Sequence, residues 1–126
     1  MSITDKQAWQ MLQDNAVLID VRSVMEYLFV GHPKKAIHVP WIDEPDWDIN
    51  PNFAADVQKE IASISVPILL ICRCGNRSLE AGNVLIQAGF NNVYNIIEGF
   101  EGPLDAEHHR STLGGWRFHG LPWEQC

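Results

Sequence analysis

The side chains best suited to chemistry lie in one segment, where a cysteine ends an apolar run and opens a polar, basic loop. Cys72 follows the run 68–71, and the loop is Arg73, Cys74, Gly75, Asn76, Arg77 and Ser78. Loop amides, a helix that starts there and two guanidinium groups all favour an anion, so the thiol should ionise readily. The segment predicts Cys72 as a nucleophile. The alternative is a buried thiol at a strand end that only packs.

Apolar runs and amphipathic stretches alternate around this loop. The predicted strands cover residues 17–21, 36–39, 67–72 and 93–97. Strands that alternate with helices indicate an α/β fold, a parallel sheet flanked by helices on both faces. In such sheets ligands bind beyond the carboxyl ends of the strands, where Cys72 falls.

The helices between these strands have recognisable starts. Thr4 and Ser23 each precede a Gln or Glu by three residues, which is capping-box spacing. The helices that they begin should end near Asp14 and Gly31. The expected buried face of the second consists of Met25, Leu28 and Phe29. A third begins at Pro51, and its expected buried face consists of Phe53, Val57, Ile61 and Ile64.

The last predicted helix starts at Ser78, and Gly89 stops it. Its apolar positions are Leu79, Gly82, Val84, Leu85, Ile86 and Ala88. Residues 40–50, which carry two tryptophans and several acidic residues, are expected to form a long surface connection.

Length and composition narrow the function classes. The 126 residues suit a single domain, 1–126, with an extended C-terminal segment from about residue 101. A net charge of -7 argues against nucleic acid or an anionic membrane as partner. The chain shows no signal peptide and no apolar run long enough to span a bilayer, and its three cysteines do not form a secreted disulfide framework. The expected location is cytoplasmic.

Several motifs in a fixed order resemble a single-domain rhodanese, a sulfurtransferase, from about residue 17 to 123. The matching segments are Leu18-Ile19-Asp20-Val21-Arg22, Glu26-Tyr27, Gly31-His32, Ala36-Ile37-His38-Val39-Pro40, the loop 72–78, Ala88-Gly89-Phe90-Asn91-Asn92-Val93-Tyr94-Asn95 and Glu98-Gly99-Phe100. The resemblance implies that Cys72 carries sulfane sulfur as a persulfide, cradled by residues 73–78. It implies a small sulfur anion such as thiosulfate as donor, a thiol or cyanide as acceptor, and no cofactor.

Loop length and charge refine what the resemblance implies. Sulfur-handling relatives hold the cysteine in a six-residue loop, as from Cys72 to Arg77 here, whereas phosphatase and arsenate-reductase relatives use one residue more. A basic loop accompanies thiosulfate preference, so Arg73 and Arg77 are expected to recognise a small anion. The alternative function is a non-enzymatic persulfide carrier that docks on a sulfur-carrier protein. A phosphatase or arsenate reductase is less favoured.

The remaining polar residues receive supporting roles. Asp20 and Arg22 match the family's Asp-x-Arg element and should support the loop, with Arg22 pairing Glu26. Cys74 replaces a small polar residue, either as a serine substitute or as a resolving thiol that accepts the sulfur or closes on Cys72. Cys126 is expected to be passive.

The histidines are not expected to do chemistry. His32 and His38 match positions that the resemblance marks as structural. His108 and His109 are adjacent and have no spaced second pair, so no metal site is predicted there.

Overall fold

A computed structural model describes residues 2–43, 47–61, 63 and 65–125. Its strands are β1 Ser2–Ile3, β2 Val17–Asp20, β3 His32–Pro33, β4 Ala36–His38, β5 Ile42–Asp43, β6 Asp48–Ile49, β7 Ile68–Ile71, β8 Val93–Ile96 and β9 Trp123–Glu124. Its α-helices are α1 Asp5–Leu12, α2 Phe53–Lys59 and α3 Asn76–Gln87, and a π-helical segment covers Glu26–Val30. None of the described helices is both long and apolar enough to cross a membrane.

The central sheet has five parallel strands in the order β1-β8-β7-β2-β4. β7 lies in the middle, with Leu69 paired to Leu18 of β2 on one side and to Tyr94 of β8 on the other. The strand that leads to Cys72 is therefore supported along both edges. The predicted α/β class and parallel sheet are confirmed.

Both faces of the sheet are buried because successive side chains of a strand point to opposite faces. Ile68, Leu70 and Cys72 pack in the cluster that includes side chains of α2 and α3. Leu69 and Ile71 pack in the opposite cluster, which includes side chains of α1 and the C-terminal Trp116. The cysteine thus continues the alternation of its strand and points to the α2 and α3 side.

Both predicted capping boxes in the first third of the chain are confirmed, since Glu26 N donates to the Ser23 hydroxyl and Ser23 N donates to Glu26 Oε1, both at 3.3 Å, but the two helices differ. At α1 the Thr4 hydroxyl accepts from Gln7 N at 3.1 Å and Thr4 N donates to Gln7 Oε1 at 2.9 Å, so the capping box is confirmed. The second helix is a π-helical segment that ends with a bond from Gly31 N to the Glu26 carbonyl. Its expected apolar face is wrong, since Met25 and Phe29 are exposed.

Residues 40–50 contribute to the core as well as to the surface. Trp41 is buried and packs edge-on against Phe53, while Ile42 pairs with Ile49 in the small antiparallel sheet of β5 and β6. The expectation of a plain surface connection is therefore wrong. Phe53 and Val57 are buried as predicted for α2.

The last predicted helix is confirmed, but it begins two residues early, at Asn76. Leu79 and Ile86 are exposed, and the buried positions are Ser78, Ala81, Gly82 and Leu85. The predictions for Ile64 and Cys126 concern residues outside the part of the chain that the structure describes.

The C-terminal segment packs into the core that faces α1. Trp116 is fully buried, its ring meets Trp9 edge-on at 6.1 Å, and its Nε1 donates to the Pro122 carbonyl at 2.8 Å. Trp116 N also donates to the Gly99 carbonyl at 2.9 Å. The chain then adds β9 to β3. The segment therefore supports the residues that follow β8.

We expect Trp116→Ala to lower the free energy of unfolding by about 3–5 kcal/mol, because it removes a large, fully buried side chain. Leu113→Ala in the same segment is the matched control and should change it by less than about 0.5 kcal/mol, because Leu113 is exposed. Denaturant unfolding of both variants makes the measurement. An effect of Trp116→Ala as small as that expected for Leu113→Ala would contradict the packing of this segment into the core.

Candidate active site

The Cys72 thiol lies directly beyond the carboxyl end of β7 and is almost fully buried. Gly75 N donates to its Sγ at 3.1 Å, and the Ser78 hydroxyl lies 3.3 Å from the same sulfur. That hydroxyl also lies 3.2 Å from the Gly75 carbonyl and hydrogen-bonds the Asn95 side-chain oxygen. The Ser78 hydroxyl has one proton and several acceptors within reach, and through Asn95 it connects the Cys72 sulfur to β8. Sequence reasoning missed Asn95, which a buried amide in a strand could have signalled.

The loop can fold this way because Gly75 occupies a position that no other residue fits. Its φ is +100°, and a Cβ there would lie 2.2 Å from the Ile97 carbonyl oxygen. α3 begins at the next residue, so the first amides of the helix have no intrahelical carbonyl to bond. The positive end of the helix dipole therefore lies next to the Gly75 N–H that donates to the sulfur.

The backbone that follows β8 supports the loop from behind. Phe100 N donates to the Cys72 carbonyl at 2.8 Å, and Glu101 N donates to the Arg73 carbonyl at 3.0 Å. A Cβ on Gly99 would lie 2.6 Å from the Cys72 carbonyl oxygen. The two backbones touch without intervening side chains, which fixes the position of the cysteine.

Arg77 is held by a carboxylate from the π-helical segment. Its Nη1 and Nη2 donate to the two carboxylate oxygens of Glu26 at 2.7 and 2.8 Å. Burial alone would raise the pKa of Glu26, but Arg77 and the hydrogen bonds from Ser23 outweigh it and lower the pKa to about 2. The hydrogen bond to Glu26 raises the pKa of Arg77.

The expected pairing of Arg22 with Glu26 is wrong. Arg22 donates from Nε and Nη2 to the Asp20 carboxylate at 2.9 and 2.7 Å, and both side chains are fully buried. The guanidinium also lies 4.6 Å from the Phe100 ring centroid and bonds the Gly31 carbonyl. Asp20 lies only two residues from Arg22 in sequence and is its carboxylate partner, so Arg22 does not need Glu26. Burial shields the pair from solvent. Its role in supporting the loop stays a prediction.

His32 and His38 contact the backbone around this pair. His38 Nε2 lies 2.7 Å from the Arg22 carbonyl, and His32 Nδ1 lies 2.8 Å from the Tyr27 carbonyl. The Tyr27 ring stacks on both imidazoles, with centroids 3.8 and 4.3 Å apart. These contacts hold the two turns together and place neither ring on the sulfur.

A cavity of about 500 Å³ opens beside the loop, lined by Glu26, Ile42, Trp47, Arg73 and Arg77. Arg73 is exposed and has no ion-pair partner among the described residues. Of the two predicted anion-recognising arginines, Arg73 therefore has the free guanidinium. A smaller cavity of about 280 Å³, lined by Ile86 and residues 90–94, contains none of the predicted site residues.

The second loop cysteine is more accessible than the first. Cys74 is half-buried, its Sγ accepts from Asn76 Nδ2 at 3.8 Å, and both Cys72 and Cys74 are free thiols. Gly75, Asn76 and Ser78 complete the turn between them and α3. The structure brings together all the predicted loop residues, and their individual roles stay predictions.

Comparisons with known proteins show the family and the fold of this chain. The model of the family "Rhodanese-like domain" matches residues 4–105. A thiosulfate sulfurtransferase GlpE from Haemophilus influenzae is 34% identical over 105 residues, 83% of this chain and 89% of that protein. The crystal structure of Rv0390 from M. tuberculosis superposes with a TM-score of 0.89 at 44% identity, and covers 99% of this chain and 97% of that one.

A more distant structure shows the fold alone. The polysulfide-sulfur transferase homodimer from Wolinella succinogenes has a TM-score of 0.67 at 24% identity, over 100% of this chain and 79% of that one. With the family model matched over residues 4–105, the chain belongs to the rhodanese-like sulfurtransferase family.

The Glu26 carboxylate should make stability depend on acid pH. Because its pKa of about 2 in the fold lies below the ordinary 4.5, its ionised form stabilises the fold fully above about pH 4.5. This contribution, at most about 3 kcal/mol, is lost as the pH falls toward 2.

We expect Glu26→Gln to lose this extra dependence between about pH 5 and pH 2. Unfolding free energies measured across this range, with the exposed Glu80→Gln as control, make the test. If both variants follow the parent curve, Glu26 does not hold Arg77 in solution.

Proposed function

We propose that this protein is a thiosulfate sulfurtransferase in which Cys72 carries the transferred sulfur as a persulfide. The observation that carries the proposal is the hydrogen bond of 3.1 Å from Gly75 N to Cys72 Sγ at the start of α3. A structural thiol in a core needs no such donor, whereas a thiolate or a terminal persulfide sulfur is stabilised by it. The family membership and the GlpE relative support the same reaction.

The reaction proceeds by two displacements. The Cys72 thiolate attacks the outer sulfur of thiosulfate, a new S–S bond forms on the cysteine, and sulfite leaves with the electron pair of the broken bond. An acceptor thiolate or cyanide then attacks the outer persulfide sulfur. The acceptor leaves with that sulfur and Cys72 becomes a thiolate again. The two half-reactions balance without an added oxidant or reductant, and none of their steps calls for a cofactor.

The loop supports this sequence through fixed donors. Gly75 N donates to Sγ at the start of α3, where the helix dipole favours negative charge. The Ser78 hydroxyl adds a donor or acceptor at 3.3 Å. Because the backbone of Phe100 and Glu101 holds the loop, these groups need little reorganisation during the reaction.

The donor anion is recognised unequally by the two loop arginines. Both terminal guanidinium nitrogens of Arg77 donate to the Glu26 carboxylate, so the two opposite charges largely cancel and the pair presents little net charge to the cavity. Arg73 is exposed at the same cavity and free to meet a sulfonate-like oxyanion. Thiosulfate, a dianion, should therefore be preferred over 3-mercaptopyruvate through Arg73.

The second candidate function is a persulfide carrier for a partner protein. The exposed Trp47 lines the cavity, and the exposed Met25 directly precedes Glu26, which also lines it. Such a carrier would load Cys72 but would turn over slowly with small acceptors. Multiple turnover with thiosulfate and cyanide distinguishes the enzyme from the carrier. The cytoplasmic location and the partners stay predictions.

Cys72→Ser should abolish thiocyanate formation from thiosulfate and cyanide, because an alcohol is not ionised at neutral pH and cannot hold a persulfide. Mass spectrometry of the parent protein after thiosulfate treatment should show an adduct of about 32 Da, one sulfur atom, on the peptide of Cys72.

Cys74→Ser is the matched control and should retain most loading, because the first displacement needs only Cys72. Loading that fails in folded Cys74→Ser and survives in Cys72→Ser would assign the nucleophile to the wrong cysteine. If Cys74 is instead a resolving thiol, Cys74→Ser should hold its persulfide longer than the parent.

Arg73→Ala should raise the apparent KM for thiosulfate by about tenfold, the value of one charge-assisted hydrogen bond, with a smaller effect on kcat. Lys59→Ala, which removes a cation from the end of α2, is the control for net charge. Steady-state kinetics at fixed ionic strength give the comparison. Equal KM values in the two variants would show that Arg73 does not bind the donor.

A further inference from the structure

An unusual carboxylate lies on the side of the sheet that faces α1. Asp5 occupies the first turn of α1 and is fully buried, yet neither of its carboxylate oxygens has a hydrogen-bond partner in the described structure. A buried carboxylate without a partner is expensive, and proteins normally pair it or use it to coordinate a metal. Helix capping does not explain it, because Thr4 supplies the cap.

Two other potential ligands surround Asp5. One donor atom from each of Asp5, Glu98 and His119 lies within 4.8 Å of the others. His119 Nε2 is 2.8 Å from Glu98 Oε1, and both side chains remain about a quarter exposed. A Cβ on Gly114 would lie 2.7 Å from Glu98 Oε1, so the glycine leaves room for the carboxylate. Solvent can therefore reach Glu98 and His119, whereas Asp5 forms the buried end of the cluster.

We propose that Asp5, Glu98 and His119 form a binding site for one divalent first-row transition metal ion. Two carboxylates and one imidazole suit ions such as Mn²⁺ and Zn²⁺, and water can complete the coordination. Ligands at about 2.1 Å from a metal are roughly 3.4 Å apart in a tetrahedral site. His119 Nε2 and Glu98 Oε1, 2.8 Å apart, would therefore separate slightly, and atoms up to 4.8 Å apart would approach. The two carboxylates would balance the charge of the ion.

The protonation of Asp5 is consistent with this site. Burial raises the pKa of Asp5 to about 8, and the charge of Glu98 adds to the effect. A metal ion would offset the repulsion between the two carboxylates.

The place of the site in the fold suggests what the ion does. Asp5 belongs to α1, His119 to the C-terminal segment, and Glu98 to the turn that precedes Phe100. Phe100 N holds the Cys72 carbonyl. A metal here would join three separate parts of the chain behind the Cys72 loop and stabilise the fold, without touching the sulfur chemistry.

Metal titration of the whole chain tests the proposal. Mn²⁺ is the first probe, because thiolates prefer softer ions, and electron paramagnetic resonance counts the free ion. Zn²⁺ is the second, on a variant in which all cysteines are serine. We expect one ion per chain and a higher Tm at saturation, since an ion that binds only the folded state stabilises it.

Three variants distinguish metal binding at this site from nonspecific binding to the protein surface. Asp5→Asn and His119→Gln should each weaken binding at least tenfold and remove the Tm increase. His109→Gln, an exposed histidine beside Asp105, is the matched control and should change neither quantity. If Asp5→Asn does not fold, the partly exposed His119→Gln still decides the question.

Three outcomes would overturn the site. Neither ion binds at millimolar concentration, or binding survives Asp5→Asn and His119→Gln, or His109→Gln is the variant that loses it. In the first case Asp5 is simply a protonated carboxyl group. None of these measurements depends on sulfur transfer, so the proposed function stands or fails separately.

Discussion

The direct contact between two backbones, that of the Cys72 loop and that of the turn after β8, constrains the whole site. Gly75 faces the Ile97 carbonyl and Gly99 faces the Cys72 carbonyl, each so closely that a Cβ would collide. Phe100 N then bonds the Cys72 carbonyl. Because no side chain can adjust between these backbones, the loop has one position relative to the sheet. This position of the loop fixes where Cys72, the start of α3 and the cavity lie.

The three arginines of this region, Arg22, Arg73 and Arg77, have different electrostatic environments and therefore different roles. Arg22 is fully buried against Asp20, and Arg77 is clamped by Glu26. Both guanidinium groups therefore hold elements of the fold in place. Arg73 remains exposed at the cavity with no ion-pair partner in the described structure. A loop that looks doubly basic in sequence thus offers one free cation to an anionic donor.

The opposite side of the sheet depends on the end of the chain. Trp116 fills the core next to α1 and donates its backbone N–H to Gly99, so the C-terminal segment reaches the same turn that supports Cys72. Glu98 begins that turn and His119 follows Trp116, which brings them to Asp5. The site for sulfur and the proposed metal site therefore lie on the two sides of one supporting segment.

The sequence by itself determined the parallel α/β fold, the position of Cys72 at the end of a buried strand and the helix that follows it. Those features depend on local periodicity and on residues adjacent in the chain, which a sequence displays directly. It did not determine which carboxylate each arginine pairs with, that Met25 and Phe29 would be exposed, or that Trp41 would be buried. The C-terminal packing of Trp116 and the meeting of Asp5 with Glu98 and His119 were equally undetermined. Tertiary structure decided these because each depends on contacts between residues far apart in sequence, such as Glu26 and Arg77, whose distance is set by how the strands are ordered in the sheet.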